Sequence, residues 1–276
     1  MLKFSVITPV FQGEETIQSC IESVVNQSHP AVEYIIIDAV STDSTLKIIE
    51  TFPTDQIHLI SEKDKGLYDA FNKGIAIATG DVLCFLCADD MFASPDSLNK
   101  VAETFQQYPD AAIVYSDIVY VNRKNTSRID RFWKSSSFVP GLYRKGWLPP
   151  NTSFYIKKKS LQGHAHFNLQ FPFAADYEFN YRLLEKHGLK SVYLPEILVK
   201  MRSGGVSNSG FINMYKSLKD CYDVLKYHQI RNPLIYIFNT LVYRFKQQFV
   251  PEKVKNQFKG SAAKLNSEIH LKEKYS

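Results

Sequence analysis

Along the first hundred residues, apolar runs of strand length alternate with apolar positions at helical spacing. "KFSVIT" (3–8) is a β-rich run closed by Pro9, and Ile17, Cys20, Ile21, Val24 and Val25 then fall on one face of a helix. "EYIIID" (33–38) is a second buried strand, and "STDSTLKIIE" opens a helix with Ser41 or Asp43 as its N-cap. "IHLI" (57–60) is a third strand, followed by a helix marked by Leu67, Phe71, Ile75 and Ala78. "DVLCFLC" (81–87) is the fourth strand, and Ser94-Pro95 starts a helix carrying Leu98, Val101, Ala102 and Phe105. Four βα units in a row predict an α/β fold, with one Rossmann-like, mostly parallel sheet and helices on both faces.

From residue 111 the rhythm breaks. "AIVYSDIVYV" has strand character, and a basic polar stretch (123–134) and the segment "FVPGLYRKGWLPPNTSFYI" follow it. A helix over 176–188 ends at Gly188, a strand lies around "SVYLP", and "MRSGGVSNSG" (201–210) is a loop of small residues. Two amphipathic helices close the chain, one on Phe211, Met214, Leu218, Cys221 and Leu225, the other on Leu234, Ile237, Phe238, Leu241, Val242 and Phe245. The predicted division is a domain over 1–210, with a donor half of about 1–110 and an acceptor half of about 111–210, and a helical extension over 211–276.

With 276 residues and 45% hydrophobic content, the chain buries a full core. No signal peptide and no run of ~20 apolar residues is visible, so a cytoplasmic protein is expected, at most touching the inner face of the cell membrane. The charge is uneven. Residues 1–210 carry 21 basic and 23 acidic side chains, a net of −2, whereas residues 211–276 carry 12 and 5, a net of +7. A basic tail on a near-neutral body points to an anionic surface rather than to nucleic acid. The four cysteines read as buried thiols: Cys84 and Cys87 point to opposite faces of a strand, and there is no second pair for a zinc site.

Ligands of an open parallel sheet bind beyond the carboxyl ends of its strands. Thr8, Asp38 and the pair Asp89-Asp90 sit at three such ends. No G-x-G-x-x-G and no Walker A motif is present, which argues against nicotinamide cofactors and P-loop nucleotides. A divalent ion on carboxylates is the remaining way to hold a diphosphate, and Asp89-Asp90 is placed for it; the alternative is a cap of the loop before Pro95. Asp38 either caps residues 39–43 or accepts from a nucleobase N–H. Asp64 and Lys65 are a helix-start residue and a solvated side chain, or either one faces a nucleotide. Asp176 is an N-cap or a general base kept ionised by the helix start, with Glu178 the second candidate. Lys200 and Arg202 flank Gly204-Gly205 in a loop that is either a connector or a lid over the diphosphate. Trp147, Phe171 and Phe173 stack on a sugar or belong to the core. The helix over Leu234–Phe249 lies on an anionic membrane, on the catalytic domain or on a second copy in a homodimer.

Two long blocks, "FSVITPVFQGEETIQSCIESVVNQSHPAVEYIIIDAVSTDSTLKII" and "SEKDKGLYDAFNKGIAIATGDVLCFLCADD", resemble an inverting family-2 glycosyltransferase of the GT-A fold. The resemblance resumes in "PPNTSFYIKKKSL", "FAADYEFNYRLLEKHG" and "YLPEILVKMRSGGVSN" and covers most of residues 1–210. It implies that Thr8, Pro9 and Asp38 hold the nucleobase of a nucleotide-sugar donor, most often a UDP-sugar, with Asp64 and Lys65 nearby. It further implies that Asp89 contacts the ribose and helps with the metal, that Asp90 ligates Mn²⁺ or Mg²⁺ and that Asp176 is the catalytic base. The activity implied is hexosyl or N-acetylhexosaminyl transfer to a glycan or lipid-linked glycan of a cell-surface polysaccharide or lipopolysaccharide. The Q-x-x-R-W block of processive synthases is absent, which favours addition of one sugar. Ala39, Cys87 and Asn151 depart from the Gly, Asn and His common at those places. A sugar nucleotidyltransferase would want a G-x-G-x-R loop after the first strand, which is missing, and a degenerate binding module would not need Asp38, Asp89, Asp90 and Asp176 together.

Overall fold

A computed structural model of the chain describes residues 1–53, 56–161, 163–204 and 210–257. The βα units run as β1 (Phe4–Val10), α1 (Ile17–Val25), β2 (Val32–Asp38), α2 (Thr45–Glu50), β3 (Ile57–Ser61), α3 (Leu67–Ile77), β4 (Val82–Phe85), β5 (Met91–Phe92) and α4 (Ser97–Gln107). Every residue of β1 and β4 is buried, because helices cover both faces of the sheet there. α1 buries Ile17, Cys20, Ile21 and Val24, and α4 buries Leu98, Val101, Ala102 and Phe105, the faces their spacing predicts. On α3 the buried stripe begins at Tyr68 rather than Leu67, which is exposed. Gly74 brings this helix onto β1, since a Cβ there would lie 2.3 Å from the Ile7 side chain.

The remaining strands are β6 (Ile113–Val121), β7 (Ile129–Trp133), β8 (Phe154–Lys157) and β9 (Ser191–Arg202). The sheet order is β3-β2-β1-β4-β8-β6-β9-β5, with β7 on β6. Pairing is parallel across β3-β2-β1-β4, as expected from the repeated βα units. Beyond β4 it is mixed: β8 lies antiparallel to both β4 and β6, while β9 runs parallel to β6. The strand order reverses between β1 and β4, so a crevice opens beyond their carboxyl ends.

Two elements extend past their expected limits. β9 runs on from the strand seen in "SVYLP" to Arg202, and register shifts at Ser116 and Asp117 absorb Pro195 and Glu196 as a bulge. α5 (Ala175–Tyr181) continues through one π-type turn, Arg182–Lys186, and Gly188 at φ +59° closes it. The C-terminal helices are α6 (Gly210–Tyr227) and α7 (Pro233–Lys246). α6 adds Cys221, Val224 and Leu225 to the main core, where Trp147 and Phe171 are buried too. α7 packs Tyr236, Ile237 and Tyr243 against that core. Gly146, at φ +82°, permits the approach: a Cβ there would lie 2.2 Å from the Asn239 backbone. Among the described residues, no helix is long and apolar enough to cross a membrane.

Candidate active site

Three strand ends converge on the crevice. Val10 pairs with Asp38 across β1 and β2, and the turn after β4 presents Cys87, Asp89 and Asp90. Pro9 is buried in β1 beyond the last β4 pairing at Ile7, so its missing N–H leaves no ladder bond unmade on that side. Phe11, an exposed aromatic, follows directly.

Among the described residues, no ion pair joins a basic side chain to the carboxylates of the acidic pair. Asp90 is 1% exposed, and its carboxylate takes a hydrogen bond from Thr152 Oγ1 at 3.3 Å and from the backbone N–H of Arg202. Burial, then the neighbouring Asp89 charge, push its pKa well above the ordinary carboxylate value. Burial also raises Asp89, against the pull of Arg123 and Arg202. The Arg202 guanidinium is spent elsewhere: Nη1 donates to the Asp89 backbone carbonyl at 2.8 Å, Nη2 to Ser19 Oγ at 2.8 Å and Nε to the Arg123 carbonyl at 3.3 Å. It is a rigid brace at the end of β9 that fixes the acidic turn. The expected placement of Arg202 in a flexible lid is therefore corrected, and residues 205–209 of that loop lie outside the described residues.

Ligand atoms of Cys87, Asp89 and Asp90 lie within 4.8 Å of one another. Two desolvated carboxylates served by neutral donors fit a hard divalent cation, which prefers oxygen ligands. The Cys87 thiol is pushed up by burial and by both carboxylates, so it stays protonated and makes a poor ligand. Asn151 Oδ1, one residue before Thr152, is buried with no hydrogen-bond partner among the described residues.

Asp176 lies on the first turn of α5, half-buried, with the N–H of Tyr177 donating to its Oδ1 at 2.8 Å. Its pKa is raised, not lowered as expected from a helix start: burial outweighs the short helix, the Tyr68 hydroxyl that hydrogen-bonds it and the charge of Arg244. Glu178, the second candidate base, points into the core. It is held by Arg182 Nε at 2.9 Å and His228 Nε2 at 3.0 Å, and these contacts hold its carboxyl below the ordinary glutamate value despite burial. It fastens α5 to the end of α6.

A family model, "Glycosyl transferase family 2", matches residues 5–168. The chain belongs to this family. A PGL/p-HBAD biosynthesis glycosyltransferase of Mycobacterium bovis is 29% identical over 211 residues, covering 75% of this chain and 79% of that protein. A dolichyl N-acetyl-alpha-D-glucosaminyl phosphate 3-beta-D-2,3-diacetamido-2,3-dideoxy-beta-D-glucuronosyltransferase of Methanococcus voltae is 31% identical over 212 residues, or 70% of this chain and 65% of that one. Among solved structures, S. aureus TarS 1-349 superposes with a TM-score of 0.62 at 17% identity, covering 89% of this chain and 72% of that chain. The mannosyltransferase PcManGT of Pyrobaculum calidifontis, solved with GDP-Man and Mn²⁺, gives 0.62 at 16% identity over 95% and 75%. The fold is thus GT-A.

In this glycosyltransferase the residues expected at the nucleobase divide. Thr8 is fully buried, and its hydroxyl meets Cys20 Sγ at 4.0 Å and hydrogen-bonds Tyr34, so its side chain serves the core and not a base. Asp38, 0% exposed, accepts from Ser41 N at 3.0 Å and Ser61 Oγ at 2.6 Å, which is the loop cap. The capped loop carries Val40 at φ +60°, a strained setting for a β-branched residue. Asp64 starts α3 by accepting from Gly66 N at 2.8 Å, while Lys65 is exposed and its N–H is held by Asp69 at 2.9 Å. Tyr68 and Thr152 are not singled out by the sequence, and Arg244 stands out there only as one of the basic residues of the C-terminal helix, not as a neighbour of Asp176. Of the first two, only Tyr68 left a trace, because it shares helical spacing with Phe71 and Ile75.

Proposed function

We propose that this glycosyltransferase moves one sugar from a UDP-sugar to a hydroxyl of a glycan or lipid-linked glycan, by a metal-dependent displacement that inverts the anomeric centre. The observation that carries this reading is Asp90, a carboxylate buried at the carboxyl end of β4 beside a second one, whose hydrogen-bond donors among the described residues, Thr152 Oγ1 and the Arg202 N–H, are neutral. Support for the donor comes from TarS, whose crystals hold UDP or UDP-GlcNAc, and support for the metal from PcManGT with Mn²⁺. The Methanococcus relative, named for sugar transfer to a dolichyl N-acetyl-alpha-D-glucosaminyl phosphate, supports the acceptor class. A hexose or N-acetylhexosamine, a surface polysaccharide or lipopolysaccharide unit as acceptor and a site of action at the cytoplasmic face complete the reading.

Asp90 and Asp89 would hold the ion, and Mn²⁺ or Mg²⁺ there would stabilise the charge that grows on the departing diphosphate. Phe11 and the loop capped by Asp38 wall the nucleobase end, and Arg202 keeps Asp89 in place. Asp176 takes the proton of the attacking hydroxyl, a contribution of about 10²–10⁴ in rate. Its raised pKa makes it a stronger base while it stays ionised above that value. Residues 1–110 serve the donor and 111–210 the acceptor. The test is nucleotide-sugar hydrolysis with Mn²⁺ across a panel of donors. Turnover of one donor, lost in Asp90→Ala, is expected; a protein that binds no nucleotide refutes the reading.

A further inference from the structure

We propose that the outward face of α7 is a membrane anchor that lies flat on an anionic lipid surface. α7 is apolar on two opposite sides. At about 100° per residue, Tyr236, Ile237, Thr240 and Tyr243 fall on the side that meets the catalytic core, while Leu234, Ile235, Phe238, Leu241, Val242 and Phe245 fall within an arc of about 120° on the other. Among the described residues, nothing buries that second arc. Leu234 is 69% exposed, Phe238 66% and Phe245 68%, and Phe249 extends the stripe past the helix end, edge-on to Phe245 at 6.1 Å.

The surface helix α4 shows what a water-facing side looks like in this protein: its outward positions are Glu103, Gln106 and Gln107. α7 puts aromatic and aliphatic side chains in the equivalent place, and contiguous exposed apolar area marks an interaction surface. Asn232 at φ +60° followed by Pro233 sets the direction of the helix, so the stripe is presented in one fixed orientation.

Charge selects the occupant. Lys226 and Arg231 are exposed before the helix, Lys253 and Lys255 after it, and residues 211–276 carry 12 basic against 5 acidic side chains. Two copies meeting through this face would each bring the same basic flanks. An anionic bilayer takes both the apolar stripe and the cations, the pairing used by interfacial helices. α7 also packs against Gly146 and donates from Asn239 Nδ2 to the Arg144 carbonyl at 2.8 Å, so the anchor is built onto the acceptor half. Its use, presenting the site to an acceptor with a lipid tail, rests on the function proposed above. The binding itself does not, and is read without any sugar nucleotide.

The full chain is sedimented with vesicles of phosphatidylcholine alone, or with about one-third phosphatidylglycerol. Binding to the anionic vesicles is expected, weakening at least about tenfold in Phe238→Asp/Phe245→Asp and in Arg231→Gln/Lys253→Gln/Lys255→Gln. Donor hydrolysis and melting temperature should be unchanged in both. In a Phe238→Trp variant, tryptophan emission should shift to the blue on adding anionic vesicles. The proposal is overturned if the wild type stays in the supernatant, if the aspartate variant binds equally, if the tryptophan does not respond, or if the wild type is a dimer that the aspartate variant dissociates.

Discussion

Replacing Asp90 by Asn should make the metal-free protein more stable, although it removes the residue proposed to hold the metal. The side chain is 1% exposed, and its two identified hydrogen-bond donors, Thr152 Oγ1 and the N–H of Arg202, are neutral. A buried charge left with incomplete hydrogen bonding costs about 1–3 kcal/mol, and the adjacent Asp89 carboxylate adds repulsion. An Asn side chain keeps the acceptor facing Thr152 and offers an N–H₂ to Asp89. Taking about 2 kcal/mol as the gain and about 3 °C per kcal/mol for a chain of this size, Asp90→Asn in chelator should melt about 6 °C above the wild type.

Metal should then invert the order. An ion that binds only the folded state at about 100 times its dissociation constant adds about 2.7 kcal/mol, which is about 8 °C for the wild type and little for the variant. Differential scanning calorimetry with chelator, Mg²⁺ or Mn²⁺ makes the measurement. A variant that melts below the wild type in chelator, or gains as much from Mn²⁺, would show that Asp90 is held by protein contacts and is not a strained cation ligand. Strain of this kind belongs to sites where function and stability compete.

Tyr68→Phe removes a hydrogen bond that favours ionised Asp176; the raised pKa should rise further, so the acid limb of kcat/KM moves to higher pH, and an unmoved limb would deny the contact a role. Glu178→Gln leaves Arg182 and His228 facing a neutral amide and should lower stability by about 3 kcal/mol, read by urea unfolding. Because the folded-state pKa of Glu178 is depressed, this stabilisation is present above the unfolded glutamate value of about 4.3 and is lost as pH falls through the folded one, so wild type and variant should converge in acid. Val40→Gly should stabilise by about 1 kcal/mol, because glycine takes φ +60° without the clash a β-branched residue meets there.

The donor half was legible because its signals are local. β2 and β4 carry apolar runs, residues 34–37 and Val82–Phe85, that stop at or just before acidic residues, and the place of Asp38, Asp89 and Asp90 follows from where those runs stop. What local pattern cannot give is the direction of a side chain in a strand buried on both faces. Thr8 stands at a strand end in the sequence yet turns under α1 onto Cys20 and Tyr34. The acceptor half was less legible, since β9 passes through Pro195 on a bulge that only its pairing with β6 reveals. That continuation turns Arg202 from a loop residue into a buried brace. The direction of the Asp176 shift escapes the sequence for a related reason: burial is set by distant chain segments, and here it outweighs the first turn of a short helix.

Asp176 receives contributions from three helices distant in sequence: its own α5, Tyr68 on α3 and Arg244 on α7. Arg244 is half-buried and lines a small cavity with Tyr177, the residue after the carboxylate. Its charge favours ionised Asp176, as the Tyr68 hydrogen bond does, and the two act through different elements. Arg244→Met keeps most of the apolar stem of the side chain and removes the charge, so α7 should stay docked through Tyr236, Ile237 and Tyr243. The acid limb of kcat/KM should move to higher pH, in the same direction as in Tyr68→Phe. In the double variant the displacement should exceed either single one, and its departure from their sum measures the coupling through their shared partner, Asp176. If Arg244 serves only to pack α7, the melting temperature falls and the limb stays where it was. That outcome would separate the C-terminal helix from the chemistry, leaving membrane contact as its role.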